Sequence, residues 1–147
     1  MNMRFPLLLL LSVLLAVSAG CGTRARKTSK VVEPSGGVLA LESQKKFTAK
    51  DMRDAIITGG ADYGWIVADA GTDTLEATNT VRGKHTVVVS IPYTATTYSI
   101  HYKDSTNMHY KPKDDGTFTI NKSYNVWVRN LDKGIKKRIT EKQTAGK

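Results

Sequence analysis

Alternation of apolar and polar residues over the middle of the chain is the feature that most constrains this fold. It defines four short runs, at residues 65–69, 75–82, 85–93 and 97–103. In the third run Val87, Val89 and Ile91 share one face, whereas Thr86 and Ser90 share the other. A period of two residues predicts strands with one buried face. Residues 82–85 carry a tight-turn signal, so the runs predict an antiparallel meander.

Amphipathic helices are predicted on both sides of these runs. The first begins at Thr48, where Asp51 three residues later completes a capping signal, and it ends at the glycines 59–60. The second begins after Asn121, a helix-capping residue type. Its apolar stripe at three- and four-residue steps consists of Tyr124, Trp127, Val128, Leu131, Ile135 and Ile139.

The order helix, four strands, helix predicts an α+β fold. Each element has one apolar face, so we expect a two-layer sandwich in which a four-stranded antiparallel meander sheet carries both helices on one face. One domain over residues 46–142 is long enough for one core. Residues 104–119 are predicted to be a polar connection, and residues 143–147 a disordered tail.

The N-terminus has the features of an export signal. Arg4 precedes the apolar residues 7–15, a stretch too short to cross a bilayer but of the right length for a signal core. Small residues follow, up to the lone cysteine Cys21. This pattern resembles a bacterial lipoprotein signal, which implies removal of residues 1–20 and acylation of Cys21. The alternatives are a non-lipidated signal cut after Ala19 or Gly20, and an anchor that is never cleaved.

Residues 21–45 are predicted to be the lipidated cysteine followed by a flexible tether. The segment is basic over residues 24–30 and contains the breaker cluster 34–37. As a coil it would span about 25–30 Å. Its cations either contact anionic lipid or belong to a soluble spacer. By the resemblance, Gly22 favours the outer membrane over the inner membrane, with the protein lipid-anchored in the cell envelope and facing the periplasm.

Much of the predicted domain resembles a family of small uncharacterised proteobacterial lipoproteins. The similarity rests on residues 64–65, 75–93 and 98–108, and on the spacing of Tyr124-Asn125, Trp127 and Asn130-Leu131. The resemblance implies an envelope location and an α+β domain. It implies no reaction, cofactor or ligand.

No residue set in the sequence has a recognisable catalytic or metal-binding pattern. The three histidines, His85, His101 and His109, lack the spacing of a ligand motif. Ser99 and His101 share a strand face, with Asp104 nearby, but regular strand spacing would separate the first two by about 6.6 Å. We therefore predict no enzyme activity, no catalytic residues, no metal and no cofactor.

The predicted function is that of a non-enzymatic envelope protein with an interaction or structural role, which holds or recognises a protein, glycan or lipid partner. The net charge of +9 adds nonspecific attraction to anionic polymers. Nucleic acid is not expected as a partner, because the tyrosines alternate onto the core face of the sheet. The candidate interaction surface consists of Arg82, Ser99, His101, Lys103, Asp104, Ser105 and Asn107.

Two alternatives to this surface stay open. The first is a merely solvated sheet face, on which Asp104, Ser105 and Asn107 only tie down backbone amides in a turn. The second is a periplasmic small-ligand or metal-binding domain that uses the polar loop 104–115 and the sheet edge. The sequence sets no oligomeric state.

Overall fold

The computed structural model describes residues 28–37 and 46–145, which form a mixed α+β arrangement of two helices and antiparallel sheets. The elements in chain order are β1 (Thr28–Lys30), β2 (Ser35–Gly37), α1 (Ala49–Ala61), β3 (Ile66–Gly71), β4 (Thr74–Val81), β5 (His85–Pro92), β6 (Thr97–Ser99), β7 (His101–Thr106), β8 (Lys111–Pro112), β9 (Phe118–Asn121) and α2 (Lys122–Thr144). The predicted signal, Cys21 and residues 38–45 lie outside the described residues.

The largest sheet confirms the prediction of a four-stranded antiparallel sheet. Its strand order is β3-β4-β5-β7. Leu75 lies opposite Ile91 and Ala77 opposite Val89, and all four side chains are buried. The β4–β5 turn has positive φ at Arg82 and Gly83, the geometry of the hairpin turn whose twist suits paired strands.

The fourth predicted strand is two separate strands in the structure, because regular strand pairing is interrupted at Ile100. Residues 97–99 pair with β2, whereas residues 101–106 join the large sheet beside β5. The Ile100 side chain is fully buried, and its backbone N–H donates to the carbonyl oxygen of Pro34 at 2.8 Å. A residue that points inward and bonds to a different segment ends one strand and begins another.

The predicted tether is corrected for residues 28–37, which are part of the domain. Here β1 pairs with β9, and β2 pairs with β6. The buried Asn125 accepts from Val32 N–H at 3.1 Å and donates to the Lys30 carbonyl at 2.7 Å. The segment is held mainly by backbone pairing and by polar bonds of Asn125 and Glu33, and it adds only the partly buried Val31 to the hydrophobic cluster. The composition of this segment therefore resembled that of a flexible spacer.

Two further predicted boundaries differ from the structure. The polar connection predicted at 104–119 contains the end of β7, all of β8 and the start of β9, and β8 and β9 form a hairpin. At the C-terminus α2 continues through Thr144, so the predicted tail does not begin at 143. Gln143 is only 5 % exposed, because it lies on the inward side of the last helical turn.

The helices begin where their capping residues predicted. Thr48 and Asp51 form a reciprocal capping box at α1, and the Asn121 side chain accepts from Ser123 N–H at α2. Along α2 the predicted stripe is buried except for Trp127, which is half-buried. Buried side chains from both helices and from the large sheet belong to one hydrophobic cluster.

Glycines 59–60 lie in the last turn of α1, which ends at Ala61, one residue beyond the predicted end. A Cβ on Gly59 would lie 2.6 Å from backbone atoms of Gly134 and Ile135 in α2. A glycine in each helix therefore allows the two backbones to approach more closely than any side chain would permit. The dipeptide that predicted the helix end therefore also marks the helix–helix contact.

Candidate functional site

The predicted interaction surface divides between two places in the structure. Ser99, His101 and Lys103 lie on or beside the polar face of the large sheet, whereas Arg82 and Asn107 lie at the end of the sheet near the β4–β5 turn. Asp104 and Ser105 lie between them in β7. Each group has its own hydrogen-bonding neighbours.

The polar face of the large sheet consists of rows of residues that point away from the buried cluster. Strand register gives two four-residue rows, Ile66–Thr78–Val88–Asp104 and Ala68–Glu76–Ser90–His101. Their members are exposed or half-buried. Ile66, on the edge strand β3, is 77 % exposed. Among the exposed large apolar residues of the described ranges, it has the largest exposed fraction.

Ser99 and His101 are in direct hydrogen-bond contact, so the expectation that strand spacing separates them was wrong. Ser99 Oγ lies 2.8 Å from His101 Nε2, and His101 Nδ1 lies 3.3 Å from Glu33 Oε2. The break at Ile100 removes the regular spacing and allows this approach. A carboxylate only accepts, so Nδ1 carries the proton, and in the neutral ring Nε2 accepts from the Ser99 hydroxyl.

This Ser99–His101–Glu33 chain has the order of groups that activates a hydroxyl nucleophile. Its setting differs from that of a buried nucleophile site, because the side chains of His101 and Glu33 are about half exposed. Glu33 Oε1 also accepts the Tyr102 backbone N–H at 3.0 Å. Glu33 thus connects the N-terminal segment to β7, and sequence reasoning missed this residue because its partners lie almost 70 positions away.

The remaining residues on this side make local bonds. Lys103 forms an ion pair with Glu76 across the sheet. The Asp104 carboxylate accepts from Ser105 N–H at 2.7 Å, and the Ser105 hydroxyl lies 3.0 Å from the Tyr102 hydroxyl. For Asp104 and Ser105, local stabilisation of the chain accounts for the residue types.

At the other place, hydrogen bonds connect the β4–β5 turn, the loop after β7 and the start of α2. Asn107 donates from Nδ2 to the Lys84 carbonyl at 2.7 Å, and its own carbonyl accepts from His85 Nδ1 at 3.1 Å. Asn121 N–H donates to the Met108 carbonyl at 2.7 Å. The cavity between them has a volume of about 320 Å³. Its lining includes Arg82, His85, Asn121, Ser123 and Trp127.

Backbone strain is concentrated at the same place. Arg82, Asn107 and His109 all have positive φ, between 53° and 58°. Such conformations cost free energy in residues other than glycine. The hydrogen bonds of Asn107 to the turn offset part of this cost.

We refer to the exposed cations Arg82, Lys84 and Lys122, together with the adjoining cavity, as the basic end of the domain.

An aromatic column, also missed by sequence reasoning, borders the N-terminal segment. The rings of Tyr102 and Tyr110 stack with centroids 4.0 Å apart, and Phe118 stacks on Tyr110 at 5.2 Å. Burial raises the pKa of the Tyr102 phenol above its usual range. The Tyr124 hydroxyl is buried and has no hydrogen-bond partner within the described ranges. The three column residues are eight positions apart and do not belong to one helix or strand, so only the tertiary fold brings them together.

Residues 28–37 and 46–145 contain no group of three or more His, Cys, Asp or Glu side chains placed to hold a metal ion. Within the same residues, neither helix is long and apolar enough to cross a bilayer.

No protein-family model, curated protein or solved structure matches the chain.

Proposed function

We propose that this protein is a lipoprotein of the cell envelope, anchored through acylated Cys21 and facing the periplasm, with the outer membrane as its favoured location. In this proposal it is not an enzyme and acts by binding an envelope protein or a glycan strand. The lone cysteine after a short apolar leader supports the anchor. The domain then supplies the binding surface.

The exposed polar face of the large sheet is the observation on which the binding role rests. We propose that both helices cover the opposite face as the second layer of a two-layer sandwich, and the shared hydrophobic cluster supports this arrangement. The uncovered face has Ile66 at its edge and Thr78 and Val88 at its centre. An exposed apolar residue amid hydroxyl groups suits contact with a partner surface.

The test is crosslinking in whole cells, followed by identification of what remains attached to the lipoprotein. Ile66→Glu places a charge on the polar face without disturbing the core, because Ile66 is 77 % exposed. We expect this variant to lose the crosslinked partner. The matched control is Val126→Glu, which changes an apolar side chain that is 52 % exposed on α2.

A partner that is retained by Val126→Glu and lost by Ile66→Glu supports the role of the polar face. An unchanged set of partners in both variants contradicts it. Equal melting temperatures for the two variants exclude unfolding as the cause of any loss.

A further inference from the structure

Among the described residues, the three cations of the basic end have no acidic partner. Arg82, Lys84 and Lys122 are exposed, and none of the ion pairs within residues 28–37 and 46–145 includes them. The three segments that meet here, residues 77–86, 105–110 and 119–131, contain no Asp or Glu. Elsewhere in the described domain some cations, such as Arg53 and Arg138, pair with carboxylates, and others, such as Lys133, do not. The basic end therefore has positive charge available for an external anion.

The chain enters the domain beside this basic end. Thr28 pairs with Asn121, which lines the cavity. Thr28 lies only seven positions after Cys21, so the chain between them spans at most about 25 Å. That interval also carries Arg24, Arg26 and Lys27. An acylated Cys21 would therefore hold the basic end close to the bilayer. The longer tether predicted for residues 21–45 would have allowed the domain to rotate relative to the membrane.

We propose that the basic end binds the phosphate groups of anionic lipid headgroups in the membrane that holds Cys21, an inference that rests on the proposed lipidation. The Arg82 guanidinium suits two-pronged contact with a phosphate. Lys84 and Lys122 add attraction that acts within a Debye length of the surface. The half-buried Trp127 ring in the cavity wall is a residue type that favours the headgroup level.

The test uses the chain from residue 21 onward with Cys21→Ser, so that only the domain and its N-terminal segment contact lipid. Binding to phosphatidylcholine vesicles is compared with binding to vesicles that contain about one third phosphatidylglycerol. We expect a preference for the anionic vesicles that weakens as salt is raised. Reversal of the three cations in Arg82→Glu/Lys84→Glu/Lys122→Glu should lower this binding by about 100-fold.

The matched control reverses three other exposed cations that have no ion pair within residues 28–37 and 46–145, in Lys46→Glu/Lys113→Glu/Lys133→Glu. It has the same net charge as the test variant, so retained binding assigns the effect to the basic end. Equal loss in both variants would reduce the effect to net charge and overturn the proposal. So would the lack of any preference for anionic vesicles.

Inorganic phosphate alone provides a further arm. Tight binding of free phosphate without a preference for anionic vesicles would indicate a small-anion site and overturn lipid recognition. Cell fractionation separates this inference from the proposed function. If the lipidated triple variant stays in the membrane, the anchor stands on its own, and only the vesicle comparison decides the role of the basic end.

Discussion

At the scale of single residues, Glu33 uses both carboxylate oxygens. One accepts the Tyr102 N–H at 3.0 Å, and the other lies 3.3 Å from His101 Nδ1. The carboxylate, the imidazole and the Ser99 hydroxyl therefore hold the N-terminal segment against β6 and β7. This stabilising role explains why the three residues are present without any catalytic function, as the proposed non-enzymatic role requires.

Ser99 is accordingly expected to be unreactive toward a fluorophosphonate probe that labels activated serines. The half-exposed His101 and Glu33 work in a high dielectric, which weakens their effect on the hydroxyl. Labelling is measured by intact mass, with a serine hydrolase as the positive control. Labelling of the wild type that disappears in Ser99→Ala would show an activated nucleophile and contradict the non-enzymatic proposal.

Gly59 is a residue at which one added methyl group should destabilise the fold. In Gly59→Ala the new carbon would meet backbone atoms of α2 at 2.6 Å, and backbone cannot move aside as a flexible side chain can. We expect a loss of about 1–3 kcal/mol in the free energy of unfolding, measured with urea. Thr58→Ala, on the exposed side of the same helix, should change it by less than about 0.5 kcal/mol. Equal effects would refute the close helix contact.

At the scale of elements, Asn125 joins α2 to the N-terminal segment. Its amide bonds Val32 N–H, the Lys30 carbonyl and the Ser29 hydroxyl, and the residue is 5 % exposed. Asn125→Ala removes these partners and should cost about 2–4 kcal/mol. Hydrogen exchange should rise mainly in residues 28–37.

The control for that experiment is Asn130→Ala, which truncates a half-buried asparagine of the same helix that has no side-chain bond among the described residues. It should leave exchange in residues 28–37 unchanged. Uniform destabilisation by Asn125→Ala, with no local rise, would mean that the segment is held by other contacts.

The contact between the C-terminal end of α1 and α2 should depend on pH. Arg138 donates two hydrogen bonds to Asp62, at 2.6 Å and 2.9 Å, and these bonds lower the pKa of the Asp62 carboxyl below its usual range. A lowered folded-state pKa means that the contribution is present at neutral pH and is lost as acid protonates the carboxyl below about pH 4.

Urea unfolding at pH 7 and near pH 2 tests this dependence. Asp62→Asn should be less stable than the wild type at pH 7, and the difference should vanish in acid. Asp114→Asn, at an exposed carboxyl with no ion pair in the described domain, should match the wild type at both pH values. A difference for Asp62→Asn that persists in acid would argue against the ion pair as its source.

Elements with a repeating apolar pattern could be predicted from the sequence, and those without one could not. β4, β5 and α2 have such patterns, and their buried faces lie where the patterns placed them. β1 and β2 have three residues each and are held by backbone partners far along the chain. The contact between Ser99 and His101 depends on the break at Ile100, which needs Pro34 as a partner.

At the scale of the whole molecule, the proposed acylation of Cys21 would determine where the domain is located. Cys21→Ser should leave the fold unchanged, because the residue precedes the first described strand, and should move the protein from the membrane to a fraction that salt releases. Fractionation after a high-salt wash and circular dichroism measure the two effects. A variant that resists the salt wash would contradict anchoring through acyl chains.

The pairing of β1 with β9 also sets the order in which the molecule can fold. Val32 and its partner Asn125 are 93 positions apart. If the protein is exported as we propose, the segment that emerges first finds its partner only after nearly all of the chain has emerged. Closing so long a loop carries an entropic cost that local helices and hairpins avoid. The N-terminal segment should therefore dock last, which would give an acylating enzyme time to reach Cys21.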